Sequence, residues 1–318
     1  MTLQGKRILV TGGHGFLGSH LVEALIHSGS NVVALAKPGE DTWRLDSIGV
    51  NIRIVTASLI NHEETNEIVR DASPEIIVHL AGWMERKRDV SIIDDMMNTH
   101  VTSVINILKS ADPQITKLII NTGTSEEYGE QDDPFHEKLP IDPVSPYSAT
   151  KGAGTVMASY LSRAVGIPVI TMRPFIVYGP GQIHDTLIPF LIKGGIEKRN
   201  VNLTKGEQYR DFLYVHDLIR CYIMAMERME KFSGHEIINV GSGIRTRVVD
   251  VVRKIADRLD CHDYFKIGAI PMRPGEPPSM IANINKASKM LDWKPNVSLE
   301  AGLTKTIDWW LENQKKNR

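Results

Sequence analysis

A tyrosine and a lysine stand four residues apart in Pro146-Tyr147-Ser148-Ala149-Thr150-Lys151, ahead of an apolar-periodic run from Val156 to Val165. If the run is a helix, Tyr147 and Lys151 share one face. A Lys ammonium beside a phenol stabilises the phenolate, so the pair is expected to bring the Tyr147 pKa down toward neutrality and let the phenol trade protons. The same spacing also occurs on solvated helix faces, so the pair needs support from the rest of the chain.

A second group with chemistry is Thr124-Ser125-Glu126, in the stretch Thr122-Gly123-Thr124-Ser125-Glu126-Glu127-Tyr128-Gly129. It follows the apolar run Lys117–Asn121, and in parallel sheets ligands bind where strands end. A hydroxyl there can hydrogen-bond a carbonyl or alkoxide, and a carboxylate can take a proton from carbon. The plain alternative is that these residues cap a helix.

The third group is Gly12-Gly13-His14-Gly15-Phe16-Leu17-Gly18, between the apolar run Arg7–Thr11 and a helical pattern over Ser19–Ser28. Gly12, Gly15 and Gly18 match a dinucleotide fingerprint: a tight turn, room for a pyrophosphate, and close helix–strand packing, with the phosphates at the helix N-terminus. The next apolar run, Asn31–Ala36, ends in Ala36 and Lys37, with Arg44 beyond. An NAD-selective site carries an acid at this place. Its absence and the added cation favour NADP(H), with NAD(H) as the alternative.

Positioning these groups takes a parallel sheet. Ile52–Thr56, Glu75–Ala81 and Ile167–Thr171 complete a series of strands alternating with helices at Asn61–Arg70 (Asn61 as cap) and Met96–Ser110. That rhythm means right-handed βαβ units and a doubly wound α/β sheet. His79, inside an apolar strand, reads as a satisfied core histidine. Glu236–Val240 reads as a late strand returning to the same sheet, and Thr246–Leu259 as a helix. The tail Ser298–Asn313 reads as an amphipathic helix whose Trp309 and Trp310 serve packing. The expected domains are 1–174 plus 236–243 for the dinucleotide, and 175–235 plus 244–318, a smaller α/β unit, for the substrate.

Composition narrows the function. The chain has 318 residues, 42% hydrophobic and 24% charged, with net charge −1. Nothing in it forms an electrostatic footprint for nucleic acid or a membrane surface. There is no signal-peptide core or membrane-length apolar run. The two cysteines, Cys221 and Cys261, form no disulfide framework and no zinc spacing, so no metal is expected and the expected compartment is the cytoplasm.

Taken together the motifs resemble the extended short-chain dehydrogenase/reductase family: nucleotide-sugar epimerases, dehydratases and 4-keto reductases. The likeness runs from Arg7 to about Pro295. It rests on Thr11-Gly12-x-x-Gly15-x-x-Gly18, Val78-His79-Leu80-Ala81, Asn98, Thr124-Ser125-Glu126-x-Tyr128-Gly129, Tyr147-x-x-x-Lys151, Arg173-Pro174-Phe175-x-Val177-Tyr178-Gly179-Pro180 and Arg210-Asp211-Phe212-x-Tyr214-Val215-x-Asp217. The resemblance implies that Tyr147 is the acid/base, Lys151 the ribose ligand and pKa-lowering cation, and Thr124 the third catalytic hydroxyl, with Ser125 and Glu126 beside it. It implies cofactor contacts from Gly12, Gly15, Phe16, Leu17, Gly18, Lys37, Leu80, Ala81, Asn98 and Pro174. It implies substrate contacts from Trp83, from Arg210 on the diphosphate, and from Arg273 in Arg273-Pro274-Gly275-Glu276; a structural salt bridge is the alternative for either arginine. A homodimer through the helices Met96–Ser110 and Ser148–Val165 is also implied. Ser58, Ile176 and Ala36 depart from the family pattern.

Three functions follow as expectations. The leading one is NADPH-dependent reduction of an NDP-4-keto-6-deoxyhexose at C4. The second is a 4,6-dehydratase, decarboxylase or 4-epimerase that returns its hydride internally, with Glu126 as the residue that decides. The third is a non-catalytic dinucleotide-binding protein.

Overall fold

The computed structural model describes residues 2–49, 52–85, 88–182, 186–273 and 275–313. Strands β1 (Arg7–Thr11), β2 (Asn31–Ala36), β3 (Arg53–Thr56), β4 (Ile76–His79), β5 (Leu118–Thr122) and β6 (Val169–Pro174) build a parallel sheet. Past β6 come four short strands, β7 (Ile176–Tyr178), β8 (Val201–Leu203), β9 (Tyr209–Arg210) and β10 (Phe212–Tyr214); then β11 (His235–Val240) returns to pair with β6 along its full length. The order is β11-β6-β5-β4-β1-β2-β3. It is a doubly wound, Rossmann-like α/β sheet, and it reverses direction between β1 and β4, where such sheets bind ligands.

Alternate side chains of the strands face opposite layers. Ile8, Val10, Val32, Ala34, Ile76, Val78, Leu118, Ile120, Ile170, Met172, Ile238 and Val240 join one buried cluster. Leu9, Leu35, Ile77, Ile119 and Val169 join the other. Because both faces are covered, the strands read as continuous apolar runs rather than alternating ones. Helix α1 (Phe16–His27) packs on the first face through Leu21, Val22 and Leu25. On the second face lie α2 (His62–Ala72) through Val69, α3 (Ile93–Met97) followed by α4 (Ser103–Ser110), and α5 (Pro146–Val165). One π turn, Asn98–Thr102, joins α3 to α4, so Asn98 opens a widened turn inside a helix that starts earlier than its expected Met96. The helices α6 (Leu187–Ile196), α7 (Val215–Glu227), α8 (Val248–Leu259), α9 (Asn285–Leu291) and α10 (Leu299–Glu312) cover the first face and the segments beyond it.

Local chemistry sets the ends of these elements. Asn61 caps α2 by accepting the Glu63 and Glu64 N–H groups, as expected. Ser145 and Ser148 form a reciprocal capping box at the start of α5, Pro146 occupies its first turn, and Gly166 ends it in the left-handed region. The helix expected from Thr246 begins at Val248, because Thr246 and Arg247 form strand β12, paired with β9. Two more short strands, β13 (Phe265–Ile267) and β14 (Ser279–Met280), pair with β8 and β9. Trp310 is buried and Trp309 stacks on Trp43, which bears out their packing role. Both cysteines are buried and free. Among the described residues no helix is long and apolar enough to cross a membrane, and no acidic, histidine and cysteine cluster has the makings of a metal site. Pro274 lies outside the described residues.

Candidate active site

Strand β5 ends at Thr122, and the chain turns into a short 3-10 helix, Ser125–Tyr128, whose N-cap is Thr124. The capping reading of this stretch is therefore realised, by the same residue that is expected to meet the substrate. Thr124 Oγ1 accepts the Glu126 N–H at 3.3 Å, and its hydroxyl acts on the Tyr147 phenol in favour of the phenolate. Tyr147 and Lys151 lie one turn apart on the first turns of α5. Lys151 Nζ donates to Thr122 O at 2.9 Å, which fastens α5 to the end of β5.

The expected effect of the lysine on the phenol is corrected here. Burial is the largest influence on Tyr147 and raises its pKa; the charge of Glu126 raises it further, and the Thr124 hydroxyl opposes them. The phenol is therefore held above the usual tyrosine value, not drawn toward neutrality, because the nearby charges it feels are carboxylates while the ammonium is bonded to Thr122 O. Lys151 moves the other way: burial brings its pKa to about 8, against the charge of Glu127.

Behind this group stand two neutral histidines. His79 takes hydrogen bonds with Thr11 and Ser103 at 2.7 and 3.2 Å, and burial pushes its pKa to about 3, so it is the satisfied core residue expected. His100, in the π turn, was not singled out by the sequence. Its Nε2 accepts the Trp83 N–H at 3.1 Å, which leaves Nδ1–H to face Thr150 Oγ1 at 2.8 Å, and its ring meets Tyr147 edge-on. Burial and the Lys151 charge bring its pKa to about 2. It ties the Trp83 segment to α5.

The cofactor side is built on close approach. Gly12 has φ +68°, and a Cβ there would sit 2.7 Å from Ala81 N; at Gly18 it would sit 2.1 Å from Gly12 O. The glycine loop therefore lies directly against the Leu80-Ala81 exit of β4. Gly15 is the N-cap of α1 with no side chain capping it, and the first turn of α1 holds no acid. A dinucleotide diphosphate fits this terminus. Phe16 and Leu17 begin α1 and pack against the core. A Cβ at Gly82 would lie 3.2 Å from Lys151 Nζ, so the lysine ends against the chain just past Leu80-Ala81.

At the far end of the loop, Lys37 is exposed at the end of β2. Two further side chains meet nearby: burial lowers the His14 pKa, with the charge of Glu40 raising it and that of Arg44 lowering it. Arg44 Nε donates to Gly181 O at 3.0 Å, while its Nη2, like His14 Nδ1, is buried without a partner. Neither His14 nor the enclosure of Arg44 could be read from the sequence, since residues of three separate segments enclose this corner. The Ser58 N–H is taken by Glu64.

Of the other residues expected at the site, Trp83, the substrate candidate, is 37% exposed, while Asn98 and Pro174, the cofactor candidates, are half-buried, Pro174 at the end of β6. Arg210 is buried, donates to Tyr209 O, and pairs with Glu276. Arg273 is exposed, and its carbonyl accepts the Glu276 N–H. The structure thus pairs Arg210 with Glu276, so the salt-bridge reading holds for Arg210. Ile176 is 37% exposed on β7, which pairs with β10.

Residues 8–241 match the family model described as NAD dependent epimerase/dehydratase family. A protein of Sinorhizobium fredii named "Probable dTDP-glucose 4,6-dehydratase" is 31% identical, over 96% of this chain and 93% of its own. The UDP-glucose 4-epimerase of Thermotoga maritima, solved with UDP-glucose, superposes with a TM-score of 0.88 at 27% identity, covering 96% of this chain and 99% of its own. The dTDP-glucose 4,6-dehydratase of Bacillus anthracis, solved in complex with NAD, gives 0.86 at 25%, covering 98% and 99%.

Proposed function

The chain belongs to the NAD dependent epimerase/dehydratase family, of the extended short-chain dehydrogenase/reductase type, and we propose that it oxidises C4 of a nucleotide-diphosphate hexose, eliminates water across C5 and C6, and returns the hydride within the same turnover. One observation carries the reading: Glu126 shares a single turn with Thr124, and its charge acts on the Tyr147 phenol. A carboxylate beside the proton-trading pair is what elimination next to a ketone requires. Similarity to proteins named for dTDP-glucose and UDP-glucose makes hexoses on these two nucleotides the first candidates.

When bound, the oxidised nicotinamide supplies a hydride acceptor and a positive charge that favours the phenolate. Tyr147 takes the C4 hydroxyl proton as the C4–H leaves as hydride. Thr124, whose hydroxyl reaches the phenol, steadies the oxygen that changes charge. The C4 ketone makes C5–H acidic; Glu126 accepts that proton and passes it to the C6 hydroxyl, which leaves as water and restores the carboxylate. Once the hydride is returned to C6, the proton that Tyr147 took from the C4 hydroxyl would go to C5, which closes the balance. Lys151 orients the ribose of the cofactor and holds the start of α5 on β5.

A second reading, reduction of an NDP-4-keto-6-deoxyhexose by NADPH, is favoured by different observations. The phenol is held protonated, which suits a proton donor, and the corner of Lys37, His14 and Arg44 suits a 2′-phosphate. Glu126→Gln separates the two. With dTDP-glucose and UDP-glucose as substrates and mass spectrometry of the products, the variant is expected to lose dehydrated product by about 10²–10⁴-fold. Unchanged dehydration, or none even in the parent protein, would reject the elimination reading.

A further inference from the structure

We propose that Glu127 and Arg173 form a positioning pair: one carboxylate oxygen pins the main-chain N–H of Thr124, the other holds the Arg173 guanidinium, and the turn that presents Thr124 and Glu126 is thereby locked to the strand end that carries Pro174. The inference concerns how the reactive groups are held, and it rests on Thr124, Tyr147 and Lys151 carrying the reaction, whichever sugar they act on.

Glu127 is 0% exposed and so is Arg173. Glu127 Oε1 accepts the Thr124 N–H at 2.9 Å. Oε2 accepts both Arg173 Nε at 2.9 Å and Nη2 at 2.7 Å. The backbone makes room for this: a Cβ at Gly123 would lie 2.3 Å from Glu127 Oε1. From Arg173 the contacts run on. Its guanidinium lies over the Tyr128 ring at 4.4 Å, and Tyr128 OH donates to Asn239 Oδ1 at 2.6 Å on β11. Three neighbouring strand ends, β5, β6 and β11, are thus joined under the site by one polar chain.

Burying two charges is costly, and apolar residues of like volume often stabilise a protein as well or better. Stability alone therefore gives no reason for a carboxylate at this place, whereas a hydrogen bond to the Thr124 main chain does. Position also gives the pair an electrostatic effect. Lys151 faces Glu127 across the end of β5, together with the neutral His79 and His100, and the Glu127 charge keeps its ammonium protonated further up the pH scale.

The test uses Glu127→Gln in the full chain, read in two ways. The lysines are methylated with ¹³C-formaldehyde, the Lys151 signal is identified by its loss in Lys151→Arg, and its titration is followed by NMR. The proton dissociation constant of Lys151 is expected to rise by about threefold or more, since a neighbouring charge within one side-chain contact has effects of that order. Turnover of the nucleotide-sugar is expected to fall about tenfold or more in kcat with KM little changed, the mark of a group needed only in the transition state. If Glu127→Gln does not fold, Glu127→Leu combined with Arg173→Leu restores an apolar fit, and the same two quantities are read there. A folded variant with the parent's Lys151 titration and kcat overturns the proposal. Failure of the hexose reading alone leaves the NMR titration intact as its judge.

Discussion

Lys151 sets the pH range of the site. Its ammonium is present in the folded protein below about 8 and lost above it, because burial lowers it from the usual lysine value. The step that needs this charge should therefore fail as pH rises. In kcat/KM, which reports the free enzyme, we expect an alkaline limb near pH 8, moved upward in Lys151→Arg, whose guanidinium keeps its charge. A limb that stays in place in that variant would show that another group titrates there. At the opposite corner, the NADPH-reductase reading asks Arg44 to recognise a phosphate. Arg44→Ala should weaken NADP⁺ about tenfold or more while changing NAD⁺ little, as measured by calorimetry, since only the former carries the 2′-phosphate a guanidinium can grip. Equal losses for both would assign Arg44 to packing, beside Trp43, over which its guanidinium lies.

Among the elements, α5 carries the largest share of the chemistry, and its first turn is where it is held. Ser145 Oγ accepts the Ser148 N–H at 3.1 Å, and Ser148 Oγ accepts the Ser145 N–H at 3.0 Å. Ser145→Ala should cost about 0.5–2 kcal/mol of stability in denaturant unfolding, as lost caps do. It should lower kcat as well, because Tyr147 lies two residues on; full stability would contradict the capping account. This helix was legible in the sequence: Ser-Pro ahead of the Tyr-Lys spacing and an apolar period are local signals. The strand, glycine turn and α1 were legible for the same reason. What could not be read needed three dimensions. The π turn Asn98–Thr102 keeps the apolar pattern of an ordinary helix, so His100 gave no sign that it faces Tyr147. Glu127 stands in the polar run Thr124–Glu127 and looks solvated, while its partner Arg173 is 46 residues away. The Tyr147 phenol was expected to come down because Lys151 was visible beside it in sequence; the burial that holds it up, and the carboxylates that add to it, arise only in the folded chain.

For the whole molecule, the seven-stranded sheet places three chemistries at the ends of adjacent strands: the glycine loop after β1, the Leu80-Ala81 exit of β4, and the Thr124 turn after β5. Residues far along the chain join this frame, since β11 returns beside β6 and Glu276 pairs with Arg210. We propose that the segments 175–235 and 244–318 form the sugar-binding unit on this sheet. The family, the fold and the Thr-Tyr-Lys group all fit hydride chemistry on a nucleotide-sugar, and we propose that Glu126 decides between passing the hydride back and consuming it. The most direct test follows the hydride itself. The protein is given dTDP-glucose or UDP-glucose deuterated at C4, without added reductant, and the product is read by mass spectrometry and NMR. The account predicts a product that has lost one water and retained the deuterium, now at C6. Absence of that product, with NADPH instead consumed one for one on a 4-keto-6-deoxy substrate, would contradict it.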